Sequence, residues 1–144
     1  MAEVDDFLSS VLPTLHEAET AFHNGDAGPR MAIWSHDDPV TLFGALLTKN
    51  GWAELAPAFQ FLASRFSNCE SYDLEVIAAG VSGDLAYIVG NEHTTAAVGG
   101  AAPEPYALRV TTIFRREGGE WKVVHRHADP MPDSDSARRQ VTRF

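Results

Sequence analysis

The apolar positions of this chain change their period once, near residue 68. Before that point Phe7, Leu8, Val11, Leu12, Leu15, Ala18 and Phe22 recur at the spacing of one helix face, predicting helix over about 5–24. Pro13 falls inside the run, where it removes a hydrogen bond and crowds the preceding turn. The pattern therefore predicts one short helix ending there and a second with Pro13 in its first turn. His16, Glu19 and His23 share helical spacing and read most simply as a solvated face. Asn24-Gly25-Asp26 is stop and turn chemistry. Residues 28–35 predict a short helix or turn, broken by His36-Asp37-Asp38-Pro39, and 40–44 a short strand. A third helix is predicted over about 51–66, with Trp52, Leu55, Phe59, Leu62 and Phe66 on one stripe and Pro57 making its first turn irregular.

Beyond Asn68 four extended segments follow, near 69–79, 84–97, 105–116 and 120–128. Gly80-Val81-Ser82-Gly83, residues 98–103 and Glu117-Gly118-Gly119 join them with turn chemistry, so an antiparallel meander is the economical topology. Helices first and an antiparallel sheet afterwards predict an α+β domain, with the helices packed on one sheet face. The expectation is one domain over 1–130 without internal repeats, and a C-terminal tail over 131–144, loose or docked on a partner.

Composition narrows the function classes. A chain of 144 residues suits a single domain, and 44% hydrophobic with 22% charged residues is ordinary for a globular one. The net charge of -9, with 11 scattered Lys and Arg, argues against nucleic acid, which needs a concentrated basic face. Only Arg115-Arg116 and Arg138-Arg139 are paired. The single cysteine, Cys69, cannot form an internal disulfide and lacks a basic neighbour to activate it, which suits an inert thiol in a reducing cytoplasm. The acidic start and the lack of a long apolar run predict neither signal peptide nor membrane span.

The stretch His125-Arg126-His127-Ala128-Asp129 is the densest candidate chemistry. Two imidazoles separated by one strand residue share a face and could share a metal. No third ligand repeats the pattern nearby, so the expectation is no metal and no cofactor, with the histidines satisfied by hydrogen bonds or a dimer contact. Alternation alone puts Trp121, Val123, His125 and His127 on one face, and Lys122, Val124, Arg126 and Ala128 on the other.

The order of elements, the segment 34–44 (Trp-Ser-His-Asp-Asp-Pro-Val-Thr-Leu-Phe-Gly), the strand Leu108-Arg109-Val110-Thr111-Thr112-Ile113-Phe114-Arg115-Arg116 and the ending Gly119-Glu120-Trp121-Lys122-Val123-Val124-His125-Arg126-His127 resemble the nuclear transport factor 2-like superfamily. Within it the chain is similar to SnoaL-like and ketosteroid isomerase-like proteins. Its ending is also similar to the association domain of calcium/calmodulin-dependent protein kinase II. The resemblance covers about residues 5–130. It implies a cone-shaped α+β barrel of the cystatin-like kind, N-terminal helices packed on a highly curved, mostly antiparallel sheet. It also implies a pocket at one end and a homodimer through the outer sheet face. Function does not follow from such a fold, which hosts isomerases, cyclases, hydrolases and non-catalytic modules. The ketosteroid isomerases use a tyrosine on the first long helix, a general-base aspartate on the first strand and a second acid on the penultimate strand. These fall on Ala18, at or next to Phe43, and on Thr112, so that mechanism is not expected. The acid–arginine–acid set of the superfamily's epoxide hydrolases has no clear match either.

The resemblance also reverses the simple reading of the last strand, turning Val124, Arg126 and Ala128 toward the cavity. The same alignment turns Val110, Thr112 and Phe114 inward, as amphipathicity does, and sends Tyr87, Val89, Asn91 and His93 to the pocket. The expected pocket is Trp34, Phe43, Phe59, Tyr87, Asn91, Thr112, Phe114 and Arg126, although of Trp34, Phe43, Trp52, Phe59, Leu62 and Phe114 most read more simply as ordinary core. His93 and Arg126 are the candidate catalytic residues. A histidine near neutral pKa can be a general acid or base, or merely a strand-end side chain near solvent. Arg126 could hold a carboxylate, phosphate or enolate oxygen, or form a structural ion pair with Glu92 or Asp38. His36-Asp37-Asp38 reads as a capped turn rather than an acid pair. Two functions stay open, with neither nucleic acid nor membrane as partner. One is a binding protein for a small apolar or acidic organic ligand in the cone pocket. The other is an isomerase, cyclase or hydratase-type enzyme using acid–base chemistry in the same pocket without the ketosteroid isomerase set.

Overall fold

The computed structural model describes residues 2–132, so the expected tail lies, from residue 133 onward, outside the described residues. The elements run α1 (Ala2–Phe22), α2 (Gly28–Ile33), β1 (Thr41–Phe43), β2 (Thr48–Asn50), α3 (Trp52–Ser64), β3 (Phe66–Ser82), β4 (Leu85–Val98), β5 (Glu104–Glu117) and β6 (Glu120–Pro130). One six-stranded sheet has the order β2-β1-β6-β5-β4-β3, antiparallel throughout except where β1 runs parallel to β6. The helices pack on one face of it, which is the α+β cone expected, with open edges at β2 and β3 rather than a closed barrel. No helix among the described residues is long and apolar enough to cross a membrane.

The predicted break at Pro13 does not occur: α1 is one helix through it. Proline forfeits one backbone hydrogen bond. The exposed Pro13 lies on the solvent side, and Phe7, Val11, Leu15, Ala18 and Phe22 hold both halves of the helix against the sheet. The polar strand β2 carries no periodic signal and was not expected. It forms by pairing back on β1 across a tight turn in which the Gly44 N–H bonds the Leu47 carbonyl at 2.7 Å. Asp38 does act as a cap, though at long range: its Oδ1 accepts the Trp52 N–H at the start of α3 at 2.9 Å. At the other end of the sheet Gly118 and Gly119, with φ of 57° and 82°, make the two-residue turn from β5 to β6, which needs positive φ at both positions.

The conflict over β6 is resolved by a β-bulge. Phe114 pairs with Val123 and Ile113 with His125, leaving Val124 as the extra residue. A single unpaired residue moves every later side chain to the opposite face. Trp121 and Val123 therefore face the core, with Trp121 edge-on to Phe7 at 5.2 Å, while Arg126 and Ala128 face it beyond the bulge. Simple alternation holds for the first half of the strand and the register implied by the resemblance for the second.

On β4 the expected register is corrected by one residue. Ala86, Ile88, Glu92 and Thr94 are buried on the inner face. Tyr87 (45% exposed) and Val89 lie outside, Asn91 bonds Glu75 there at 3.2 Å, and His93 sits 3.7 Å from the same carboxylate. The inner face carries a glutamate and a threonine, so amphipathicity could not tell the two faces apart. Gly90 marks the inner side, since a Cβ there would collide with the backbone of Glu75 beside the bulge at Val76–Ala78.

Candidate functional site

The inner face of α1 is apolar for most of its length and becomes polar near its C-terminus. Glu19 and His23 lie one turn apart, in line with Leu15 and Phe22, and each is only 3% exposed. The solvated face expected for them holds only for His16, whose ring meets Tyr72 from outside at 5.7 Å. Burial is tolerated because other elements bring partners. Glu19 Oε2 accepts from Arg30 Nη2 of α2 at 2.5 Å, and Arg126 Nη1 of β6 lies 3.8 Å from Glu19 Oε1. Arg126 in turn donates two hydrogen bonds to Glu92 of β4, at 3.0 and 2.6 Å. Tyr72 Oη of β3 donates to the same carboxylate at 2.7 Å. The Arg30 guanidinium also lies over Phe22, 3.6 Å from the ring centre.

The set is electrically balanced, with two carboxylates and two guanidiniums. Burial alone would raise the pKa of Glu92, but the paired Arg126 and the Tyr72 hydroxyl hold it well below the ordinary carboxylate range. Burial likewise works against the charge of Arg126, and the Glu92 carboxylate outweighs it. Tyr72 is pushed strongly up, first by burial and then by Glu92, so it remains a donor.

Beside this set opens a cavity of about 350 Å³. Its walls are Phe22, Leu42, Leu62, Phe66, Ala128 and Pro130, with the β1–β2 loop from Gly44 to Leu47 at its rim. Four polar side chains reach it: Arg30, Arg126, His23 and Tyr106. The imidazole of His23 is held at both nitrogens. Nδ1 lies 2.7 Å from the Glu19 carbonyl oxygen, and Nε2 is hydrogen-bonded to Tyr106 Oη. Burial lowers the pKa of His23 and the Arg30 cation adds to this, against the opposing pull of Glu19 and Glu92. Tyr106 is pushed up to about 12, chiefly by burial and then by the Glu92 and Glu19 charges. At neutral pH the pair is a neutral imidazole and a neutral phenol.

The structure brings only part of the expected site to the cavity. Arg126 lines it, but both its terminal nitrogens bond Glu92, which is the ion-pair alternative rather than a free anion-binding cation. Trp34 and Thr112 line a separate void of about 20 Å³ deeper in the core. Phe59 and Phe114 are fully packed core, Phe59 lying 5.1 Å from Trp34 and Phe114 edge-on to Phe7 at the same separation. Phe43, Tyr87, Asn91 and His93 are on the outer sheet face, so the candidate pair His93–Arg126 is separated by the sheet. Phe43 stands there edge-on to His125 and His127, at 5.2 and 5.5 Å, and Thr41 Oγ1 meets His125 Nδ1 at 2.7 Å. Among the described residues no group of three metal-capable side chains comes together.

Glu19, His23, Arg30 and Tyr106 were not anticipated. For Glu19 and His23 a signal existed, since their helical positions adjoin those of Leu15, Ala18 and Phe22. Nothing local to Arg30 or Tyr106 distinguishes them from surface residues.

An N-terminal helical layer over a curved meander, with a cavity bordered by a short parallel strand beside the last one, defines a cone-fold domain. The SnoaL-like domain model matches residues 11–133, and the chain belongs to that family. Among solved structures it is similar to a proposed dehydratase of the nuclear transport factor 2-like family from Streptomyces avermitilis, at 19% identity and TM-score 0.69, over 90% of this chain and 99% of that one. It is similar to a proposed ketosteroid isomerase from Parabacteroides distasonis, at 14% identity and TM-score 0.64, over 84% and 85% of the two chains. An uncharacterized cystatin-like-fold protein from Caulobacter vibrioides matches at 19% identity and TM-score 0.66, over 94% and 97%. At these identities the likeness is one of fold. No curated protein matches the chain.

Two outcomes follow from the buried charges. Glu92→Gln strands the Arg126 cation and should cost about 3–5 kcal/mol in urea unfolding, whereas Glu92→Leu with Arg126→Met should cost much less than the two single changes summed. Acid unfolding should have two stages. His23 binds its proton more weakly folded than unfolded, so its contribution is complete above its ordinary value of 6.5 and is lost as pH falls through its lower folded value. Glu92, also depressed, keeps its contribution above its ordinary 4.5 and loses it at still lower pH. Melting temperature should therefore decline below about pH 6.5 and fall more steeply below about 4.5. His23→Gln should flatten the first stage, leaving the slope of His125, whose pKa is lowered by burial and by His127.

Proposed function

We propose that this SnoaL-like domain binds a small, largely apolar organic molecule in the cavity beside α1, its polar end against His23 and Tyr106. The observation that carries this is an open cavity of about 350 Å³ with apolar walls and a few convergent polar groups, the usual form of a small-molecule site. An acidic ligand has less support, because both guanidiniums are already neutralised by Glu19 and Glu92. A carboxylate entering there would lose its hydration without meeting an unpaired cation.

A second reading, an acid–base enzyme of isomerase, cyclase or hydratase type, is favoured by one contact. His23 and Tyr106 form a hydrogen-bonded pair inside the cavity, with the imidazole in its basic form at neutral pH. On that reading His23 and Tyr106 take the place assigned to His93 and Arg126.

The outer sheet face supports a homodimer. Phe43, Ile77, Tyr87 and Val89 expose apolar surface on that side, with His125 and His127 among them. The lone cysteine suits a cytoplasmic protein.

Binding can be followed by fluorescence with 2-methoxynaphthalene as probe. Leu62→Trp, which fills the cavity, should weaken it at least tenfold, and His93→Ala on the outer face should leave it unchanged; equal binding by the tryptophan variant would place the probe elsewhere. Sedimentation at micromolar concentration should show a dimer that Val89→Glu converts to monomer, and a monomeric unmutated chain would end the dimer proposal.

A further inference from the structure

The geometry points to a cavity that selects its ligand by a hydrogen-bond donor: a ligand hydroxyl or N–H donates to Tyr106 Oη, whose own proton is held by His23. This rests on the ligand-binding reading and specifies its chemistry. His23 Nδ1 lies 2.7 Å from the Glu19 backbone carbonyl oxygen, which can only accept. A proton must therefore sit on Nδ1, since a bare ring nitrogen at that distance would set two lone pairs against each other. In the neutral ring Nε2 is then a lone-pair acceptor, and the Tyr106 hydroxyl bonded to it is the donor. The alternative is an imidazolium donating from both nitrogens, and burial beside Arg30 works against it. Tyr106 thus spends its one proton inside the protein. Its remaining oxygen lone pairs have no protein donor among the described residues, and the side chain lines the cavity.

The charges of the two guanidiniums at the cavity are already matched by carboxylates. The Arg126 fork is occupied by Glu92, and Arg30 donates to Glu19. Arg30 Nε lacks a partner, yet it is sealed from the cavity as well as from solvent. At Tyr106 Oη a ligand ketone, ether or carboxylate oxygen would meet an acceptor with an acceptor. An alcohol, phenol or amide N–H fits.

Two measurements test this. In the first, nitrogen-15 spectra of the full chain at neutral pH should show His23 protonated at Nδ1 and bare at Nε2; protonation at Nε2 would overturn the proposal without any ligand. In the second, dissociation constants are compared for 2-naphthol, 2-methoxynaphthalene and 2-naphthoate. The preference for the naphthol over the ether should be about three- to tenfold larger in the unmutated protein than in Tyr106→Phe, the worth of one net hydrogen bond. Binding of the ether should be little changed by that substitution. An unchanged ratio, or naphthoate as the tightest ligand, would overturn donor selection while leaving cavity binding standing. Failure of all three probes to bind below millimolar concentration would overturn the binding reading and this inference with it.

Discussion

Four buried charges hold the cavity end of this molecule together. Glu19, Arg30, Glu92 and Arg126 come from α1, α2, β4 and β6, and none of them is stable inside the protein without the others. Removing an ion from water costs several kcal/mol even after relaxation, so each must find its partner in good geometry. The arrangement fixes where the end of α1 sits above the sheet. It also fixes which way the second half of β6 faces, because Arg126 reaches Glu92 only from the inner side. The cavity occupies the space left between this polar cluster and the rim formed by the β1–β2 loop.

The balance of those charges decides what sort of site this is. A cone end with one free guanidinium would attract anions from a distance. Here the guanidiniums and carboxylates cancel, and the direction of individual hydrogen bonds matters more than net potential. His23 exemplifies this, since a single backbone carbonyl sets its tautomer and, through it, the orientation of a phenol on another strand. The outer face has a different character, with exposed aromatic and aliphatic side chains beside two imidazoles.

The architecture was largely legible in the sequence because it rests on local periodicity: helical spacing up to residue 66, extended segments joined by glycine turns afterwards. The site was legible only in part, for reasons visible at particular residues. Glu92 and Arg126 are charged residues pointing inward, so reading polarity as exposure places them on the wrong side. On β4 the alternatives Ala86/Ile88 and Tyr87/Val89 are equally apolar, and the deciding partner of Glu92 lies 34 positions away. Pro13 reads as a break because its local cost is visible in the sequence and the packing on both sides is not. Tyr106 follows a proline at a strand start and acquires meaning only through a histidine 83 residues earlier.

The extra residue at Val124 also divides β6 into two lengths with independent phase. Trp121 and Val123 belong to the packing frame of the core, whereas Arg126 and Ala128 belong to the frame of the cavity. Substitutions at Ala128 can reshape the cavity wall without altering which residues plug the core half, whereas Arg126 stays tied to Glu92. The last strand is thus two short words instead of one, the first spelling the core and the second the cavity wall.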